Sequence, residues 1–342
     1  MNNEPDAIPR ETGAEAWRTL LQPLARAQDA LARLEATAAA VSPDVREGLR
    51  ARLAYREAAG WLAHHGHWIH PVDLALRDAG LTGSYTAARL GARLPSVLPV
   101  TTRDAEAGEG EADVPEDQDV ALALTVARLW RRLAELRTWQ PLESAEALAA
   151  ALAPLGGAAG SFAALQDLLA TADLPPLLVA GIVVRDWSVG RAGQGERRDR
   201  LAAPGILVAA CIWRAQDGRG DPGLPVWSAP VQRLHRLALQ PRALWLPGFL
   251  DCVAEAAGLA ARELARLRQA EARAATLERT ARSRLPQAAA LALRHPVISA
   301  RLLADRLRIS HRAGLDLTRQ MVDARLIREA TGRESWRAFV VV

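Results

Sequence analysis

Four of the chain's seven histidines fall within seven positions, in the stretch His64-His65-Gly66-His67-Trp68-Ile69-His70. Three chemistries are open to such a cluster. Zinc would need three or four converging ligands. His64, His67 and His70 recur at every third residue, but Gly66 and Pro71 interrupt the helix that would align them. Clustered imidazoles can also titrate near neutrality and serve as a pH-sensitive or nucleotide-contacting surface. The third reading is a polar helix C-terminus, where His suits the helix dipole while Trp68 and Ile69 pack inward. We favour the third and expect no metal and no cofactor.

The other residues with chemical potential are arginines. All 43 basic residues are Arg, and the net charge is +4. Residues 285–342 hold ten Arg against five acids, a net of +5, so residues 1–284 sum to −1. The basic excess lies at the C-terminus, where a nucleic-acid partner is to be sought. A second run, Arg191, Arg197, Arg198 and Arg200, is interrupted by Glu196 and Asp199, and reads as a solvated loop.

The C-terminal stretch has the pattern of a winged helix-turn-helix. A helix over 286–293 closes at His295-Pro296. Ser299 caps a second helix with Leu302, Leu303, Ala304 and Leu307 inward. Arg308-Ile309-Ser310 forms the turn, and Ser310 caps a third helix with Ala313, Leu317, Met321 and Val322 as its core stripe. Its other face carries His311, Arg312, Leu315, Asp316, Arg319 and Gln320. Strands over 326–330 and 336–341, with a tip at Thr331-Gly332-Arg333-Glu334, make a β-wing. Expected DNA contacts are His311, Arg312, Asp316, Arg319 and Gln320 from the third helix, and Arg333 and Arg337 from the wing.

The elements that must position these residues are mostly helical. Half the 342 residues are apolar, Ala, Leu and Arg dominate, and β-branched runs are scarce. Helices are expected over 14–65 (two or three, one starting at Ser42-Pro43) and over 71–93 with a break at 80–84. Others follow at 120–137, 143–153, 161–171, 175–187, 201–214 and 249–283. The acidic stretch 103–119 reads as a linker. The expected organisation is an N-terminal helical region (1–102), the linker, a helical body (120–284) and the winged helix (285–342). Trp61, Trp68, Trp130, Trp139, Trp187, Trp213, Trp227 and Trp245 are assigned to core packing, and Trp336 to anchoring the wing. Cys211 and Cys252 are far apart and form neither a disulfide framework nor a CxxC site. The polar N-terminus reads as having no apolar leader, so no signal peptide is expected, and Leu174–Val184 reads as too short to span a bilayer. A cytoplasmic location without membrane contact is expected.

The C-terminal stretch "PVISARLLADRLRISHRAGLDLTRQMVDARLIREATGRESWRAFV" is similar to the winged-helix tail of many Fic-type proteins. Residues 174–213, "LPPLLVAGIVVRDWSVGRAGQGERRDRLAAPGILVAACIW", resemble the Fic core motif less closely. The alignment sets Arg197 and Arg200 on the motif's arginines, Val189 on its catalytic histidine, and Gly193-Gln194-Gly195-Glu196 on its anion loop. Val cannot accept a proton, and Glu196 would repel phosphate, so the resemblance implies a degenerate, non-catalytic Fic-like body. The segment around the histidines resembles the family's inhibitory helix, with Gly66 on its Gly and His65 on its Glu. The order of units also resembles a bacterial family of unknown function that ends in a helix-turn-helix.

The resulting expectation is a DNA-binding protein that is not an enzyme, reading double-stranded DNA as a transcriptional regulator and homodimer. The alternatives are a diverged AMP transferase with an atypical site at Arg197 and Arg200, or an antitoxin-like module for an unidentified protein partner.

Overall fold

The computed structural model describes residues 13–64, 68–81, 83–93, 117–135, 144–153, 162–171, 174–192, 208–209, 212, 242–277, 283–332 and 337–342. These build a mostly helical protein with one small antiparallel sheet near the C-terminus. The helices are α1 (Gly13–Ala39), α2 (Pro43–His64), α3 (Pro71–Asp78), α4 (Tyr85–Arg93), α5 (Asp117–Glu135), α6 (Ala145–Leu152), α7 (Phe162–Thr171), α8 (Pro176–Ala192) and α9 (Arg242–Ala275). The C-terminal unit then runs α10 (Leu285–Arg294), β1 (Ile298–Ser299), α11 (Ala300–Leu307), α12 (His311–Asp323), β2 (Ile327–Glu329) and β3 (Ala338–Val341).

The most extensive helix pairing is that of α1 with α9. Leu24, Ala27, Leu31 and Leu34 recur at spacings of three and four, which puts them on one face of α1, and all are buried. They face a helix whose buried stripe is rich in small residues, Val253, Ala256, Ala257, Ala260, Leu264, Leu267 and Ala270. By length and composition alone, Leu244–Ala275 could cross a bilayer. Its apolar stripe is instead spent on α1, α2 and α8, as a core helix spends it. Trp245 Nε1 of α9 donates to the Gly181 carbonyl of α8 at 2.8 Å, and a Cβ on Gly181 would strike Phe249.

Helix α2 is the hub. It starts at Ser42-Pro43 as its sequence dictates, with Ser42 Oγ accepting from Val45 N at 3.3 Å. It then packs on α3, α5, α9 and α10 at once. A helix surrounded in this way is buried nearly all round, and Val45, Leu49, Leu53, Tyr55, Ala58, Trp61 and Leu62 are. The buried Arg52 and Glu57 lie on the same helix.

Several elements differ from their expected bounds. Helix α9 begins at Arg242 rather than near 249 and carries Pro247 inside it, because tertiary packing outweighs the hydrogen bond that proline removes. Helix α5 begins at Asp117, inside the stretch read as linker. Of the helix expected at 201–214, only 208–209 and 212 are among the described residues, and these are helical and buried. Trp61, Trp130 and Trp245 are buried as expected, but Trp68 is 70% exposed. Its inward packing is therefore corrected. It stands just before α3, outside any helix, so no helical face turns it toward the core.

Candidate nucleic-acid interface

The C-terminal unit is built from strong local signals. Ser283 Oγ accepts from Leu285 N at 3.2 Å, and Pro286 occupies the first turn of α10. Ser299 accepts from Leu302 N and Ser310 from Ala313 N, each at 3.2 Å, so both later helices start at their predicted caps. Helices α11 and α12 also end alike, on an arginine in the left-handed region. Arg308 has φ 53° and Arg325 φ 54°. Ile309 N reaches the Ala304 carbonyl at 3.1 Å and Leu326 N the Met321 carbonyl at 2.9 Å, the closing bonds of a Schellman turn.

The turn brings α11 and α12 so close that a Cβ on Gly314 would lie 2.5 Å from the Ala300 carbonyl oxygen. Only glycine fits there, and it forms part of the buried face of α12 together with Leu317, Thr318 and Met321. This corrects the expected core stripe at one end. Val322 is exposed, because the stripe runs through Gly314 and Thr318 at a shallower angle than the apolar residues imply.

The sheet order is β1-β3-β2, with both pairings antiparallel. Ile298 opposes Phe339, and Ile327, Arg328 and Glu329 oppose Val341, Val340 and Phe339. All four residues of β3 are buried. One face covers the unit's own core while the other meets α9, and a strand covered on both faces loses the in-out alternation.

The opposite face of α12 is open to solvent. His311, Arg312, Leu315, Asp316, Arg319 and Gln320 are all exposed. Arg312 has no carboxylate partner among the described residues, whereas Arg319 Nη1 lies 3.3 Å from Asp316 Oδ1. The pair is exposed and one turn long, so it orients Arg319 more than it neutralises it. Arg337, at the foot of the wing, is exposed with Nε 3.9 Å from Glu329 Oε2. Arg333 and Trp336 lie outside the described residues. Sequence pattern alone does not single out Arg301, Arg306 and Arg308, which are exposed on α11 and the turn. They enter the local charge like any other arginine, and only the structure shows them exposed beside the turn that leads into α12.

The unit is also docked. The Arg52 guanidinium reaches from α2 to the end of α10, donating to the carbonyls of Leu293 (2.8 Å), His295 (2.9 Å) and Ala292 (3.2 Å). Its Nε faces Glu263 of α9 at 3.5 Å. Burial lowers the Arg52 pKa to about 10, against the opposing pull of Glu263, which still leaves it charged at neutral pH. A Cβ on Gly48 would come within 1.9 Å of the Leu293 carbonyl oxygen, so the two helices touch through backbone. Arg294 pairs with Asp44, Arg328 Nη2 donates to the Tyr85 hydroxyl at 2.8 Å, and Arg273 Nη2 donates to the Val342 carbonyl at 2.9 Å.

Residues 285–342 match the family model described as "HTH DNA binding domain", and the match starts at the first residue of α10. The chain carries a C-terminal helix-turn-helix DNA-binding domain. No curated protein matches the chain. The domain's third helix, α12, presents the exposed arginines and glutamine, while its first helix, α10, is held to the body.

The histidines take different places. His64 ends α2, its side chain lies outside the described residues, and so do His65 and His67. His70 is not at a helix C-terminus but is the N-cap of α3. Its Nδ1 accepts from Val72 N at 3.1 Å, and Pro71 occupies the first helical position. Its ring lies 4.6 Å from that of Tyr85. Among the described residues no group of three His, Cys, Asp or Glu side chains could hold a metal ion. The residues assigned by the Fic resemblance, Val189 (its side chain), Gly193 to Glu196, Arg197 and Arg200, lie outside the described residues, as does Cys211. Cys252 is buried.

Proposed function

We propose that the protein is a transcriptional regulator that reads double-stranded DNA through α12 and the wing, with a non-catalytic helical body that places this domain. The observation that carries the reading is the face of α12. Arg312, Arg319, Gln320 and His311 are exposed together on the recognition helix of a unit matched to a DNA-binding family. Arg pairs in bidentate fashion with guanine and Gln with adenine in the major groove, and Asp316 can accept from cytosine N4. Arg301, Arg306 and Arg308 supply phosphate contacts, and Arg337 and Arg333 extend them from the wing.

The non-catalytic reading of the body rests on the Fic resemblance, which sets Val189 where a general base is required. Homodimerisation is part of the proposal because two half-sites are read by two such helices. A cytoplasmic location follows from the same function.

The test is selection of bound duplexes from a random-sequence pool by the purified protein at two salt concentrations. A motif that survives the higher salt supports a sequence-specific regulator, and an inverted repeat supports the dimer. Binding that vanishes with salt, with no enriched motif, reports phosphate contact alone and overturns the reading.

A further inference from the structure

A cleft of about 530 Å³ opens where the body meets the winged helix. One wall is α2 and α9, the other is α4 and the segment around His70, and β2 and β3 of the DNA-binding unit close the end through Arg328, Val340 and Val341. Its volume lies in the range of small-molecule sites.

The charge in this cleft is out of balance. Five arginines line it, Arg52, Arg56, Arg89, Arg266 and Arg328, with Glu263 as the one lining carboxylate among the described residues. Glu263 already faces three of them, with Arg266 Nη1 at 3.3 Å, Arg56 Nη2 at 3.4 Å and Arg52 Nε at 3.5 Å. Arg52 is spent on backbone carbonyls. Arg56 and Arg266 are left to share what one carboxylate can give. Across the cleft, Arg328 and Arg89 have no carboxylate partner among the described residues. Arg328 lies over the Tyr85 ring, 5.4 Å from its centroid, and Arg89 follows one turn later on α4. Burial and the neighbouring Arg266 and Arg262 pull the Arg56 pKa down against Glu263, a cost that a bound anion would relieve.

The second observation concerns flat apolar surface. Trp68 lines the cleft at its rim and is 70% exposed, which is unusual for a side chain of that size. Tyr85 and His70 provide a second aromatic wall. Ring faces and guanidinium forks together recognise one chemical class.

We propose that this cleft binds a small organic anion made of a flat aromatic ring bearing a phosphate or carboxylate. The anionic group sits among Arg56, Arg266, Arg89 and Arg328, and the ring lies against Trp68 and Tyr85. Because Arg328, Val340 and Val341 belong to the wing sheet, the ligand touches both the body and the DNA-binding unit, and its binding alters DNA affinity. That last step rests on the regulatory function proposed above, whereas the site itself does not.

The experiment is calorimetric titration of the full chain with four probes: ADP, phthalate, inorganic phosphate and adenosine. At least one ring-bearing anion binds one to one with a Kd below about 1 mM, at least tenfold tighter than phosphate or adenosine. ADP alone marks a phosphate-type ligand and phthalate alone a carboxylate-type ligand. Arg89→Ala and Trp68→Ala, both exposed and outside the core, each weaken that binding at least tenfold without altering the thermal transition. Failure of both ring-bearing anions to bind overturns the site. So does binding of phosphate as tight as theirs, which means an adventitious ion only, or binding indifferent to both substitutions. In a second arm the bound probe shifts affinity for the selected duplex by at least threefold. Binding without that shift overturns the coupling and leaves the site, and absence of any selected duplex overturns the regulatory reading instead.

Discussion

Arg52 and Leu293, 241 positions apart, meet at 2.8 Å where the guanidinium caps the carbonyl end of α10. The last carbonyls of a helix have no partner within it, and buried ones cost free energy unless another donor arrives. Arg52 supplies four bonds at once, counting the one to the Gly48 carbonyl at 3.0 Å, and its charge answers Glu263. Replacing it with Met leaves Glu263 with less compensation and three carbonyls bare. The expected loss is about 3–5 kcal/mol, as for breaking a buried pair from one side. Urea denaturation measures it. A loss below about 1 kcal/mol would mean that water reaches the α10 end and that Arg52 is not the docking element.

Gly314 carries a narrower prediction. Gly314→Ala puts a methyl against the Ala300 carbonyl oxygen, and because the obstacle is backbone, α11 and α12 must move apart. About 1–3 kcal/mol of stability is lost, by the cost of overpacking, and DNA binding falls further than stability explains. Thermal denaturation and a binding titration on the same preparation separate the two. Unchanged stability would show that the helix pair yields easily.

These two positions show what a sequence can and cannot reveal. The caps Ser42, Ser299 and Ser310 are legible because a cap is decided within four residues of chain. The exposed face of α12 is legible for the same reason, from helical period alone. Arg52 is not, since its partners lie on α9 and α10 and its own helix reads as ordinary. His70 goes to the end of α2 on sequence because the histidines form one cluster there. The signal that corrects it is present, as Pro71 after a polar residue marks the first turn of a new helix. Trp68 goes inward on size, and nothing local distinguishes a core tryptophan from one at the rim of a cleft.

The proposed DNA contacts predict two kinds of arginine in the DNA-binding unit. Arg312→Ala and Arg319→Ala each lower affinity for the selected site by roughly 1–3 kcal/mol, the value of one bidentate pair with a base, and relax its sequence preference. Arg301→Ala and Arg306→Ala weaken all duplexes alike, and each reduces the slope of log affinity against log salt by about one. Titrations against the selected and a scrambled duplex over a salt series separate the kinds. Equal losses on both duplexes for Arg312→Ala would move it to the phosphate-binding group.

The left-handed arginines predict a gain. A non-glycine residue in that region costs roughly 1–2 kcal/mol through its Cβ. Arg325→Gly removes this at the end of α12, where the Schellman bonds to Met321 and Val322 need only backbone. The extra freedom of glycine in the unfolded chain offsets part of it, leaving a net gain of about 0.5–1 kcal/mol in denaturation. A loss instead would mean that the Arg325 side chain makes a compensating interaction.

Acid should loosen the junction through His70. Burial lowers its pKa below the usual histidine value, offset in part by Asp73 and reinforced by Arg56 and Arg328. The cap also needs the neutral ring, because Nδ1 accepts from Val72 N. As pH falls below about 6.5, the unfolded chain takes up a proton that the folded chain refuses, so stability declines until the lower folded pKa is passed. His295 is lowered by burial too and acts in the same direction. Each can contribute at most one proton, or about 1.4 kcal/mol per pH unit. His70→Asn keeps a side-chain acceptor at the cap and removes the titrating group. The variant should therefore stay close to the parent at pH 7.5 and gain on it as pH falls below 6, with a shallower slope between. Parallel stability profiles for the two proteins would mean that His70 takes up its proton equally in the folded and unfolded chains.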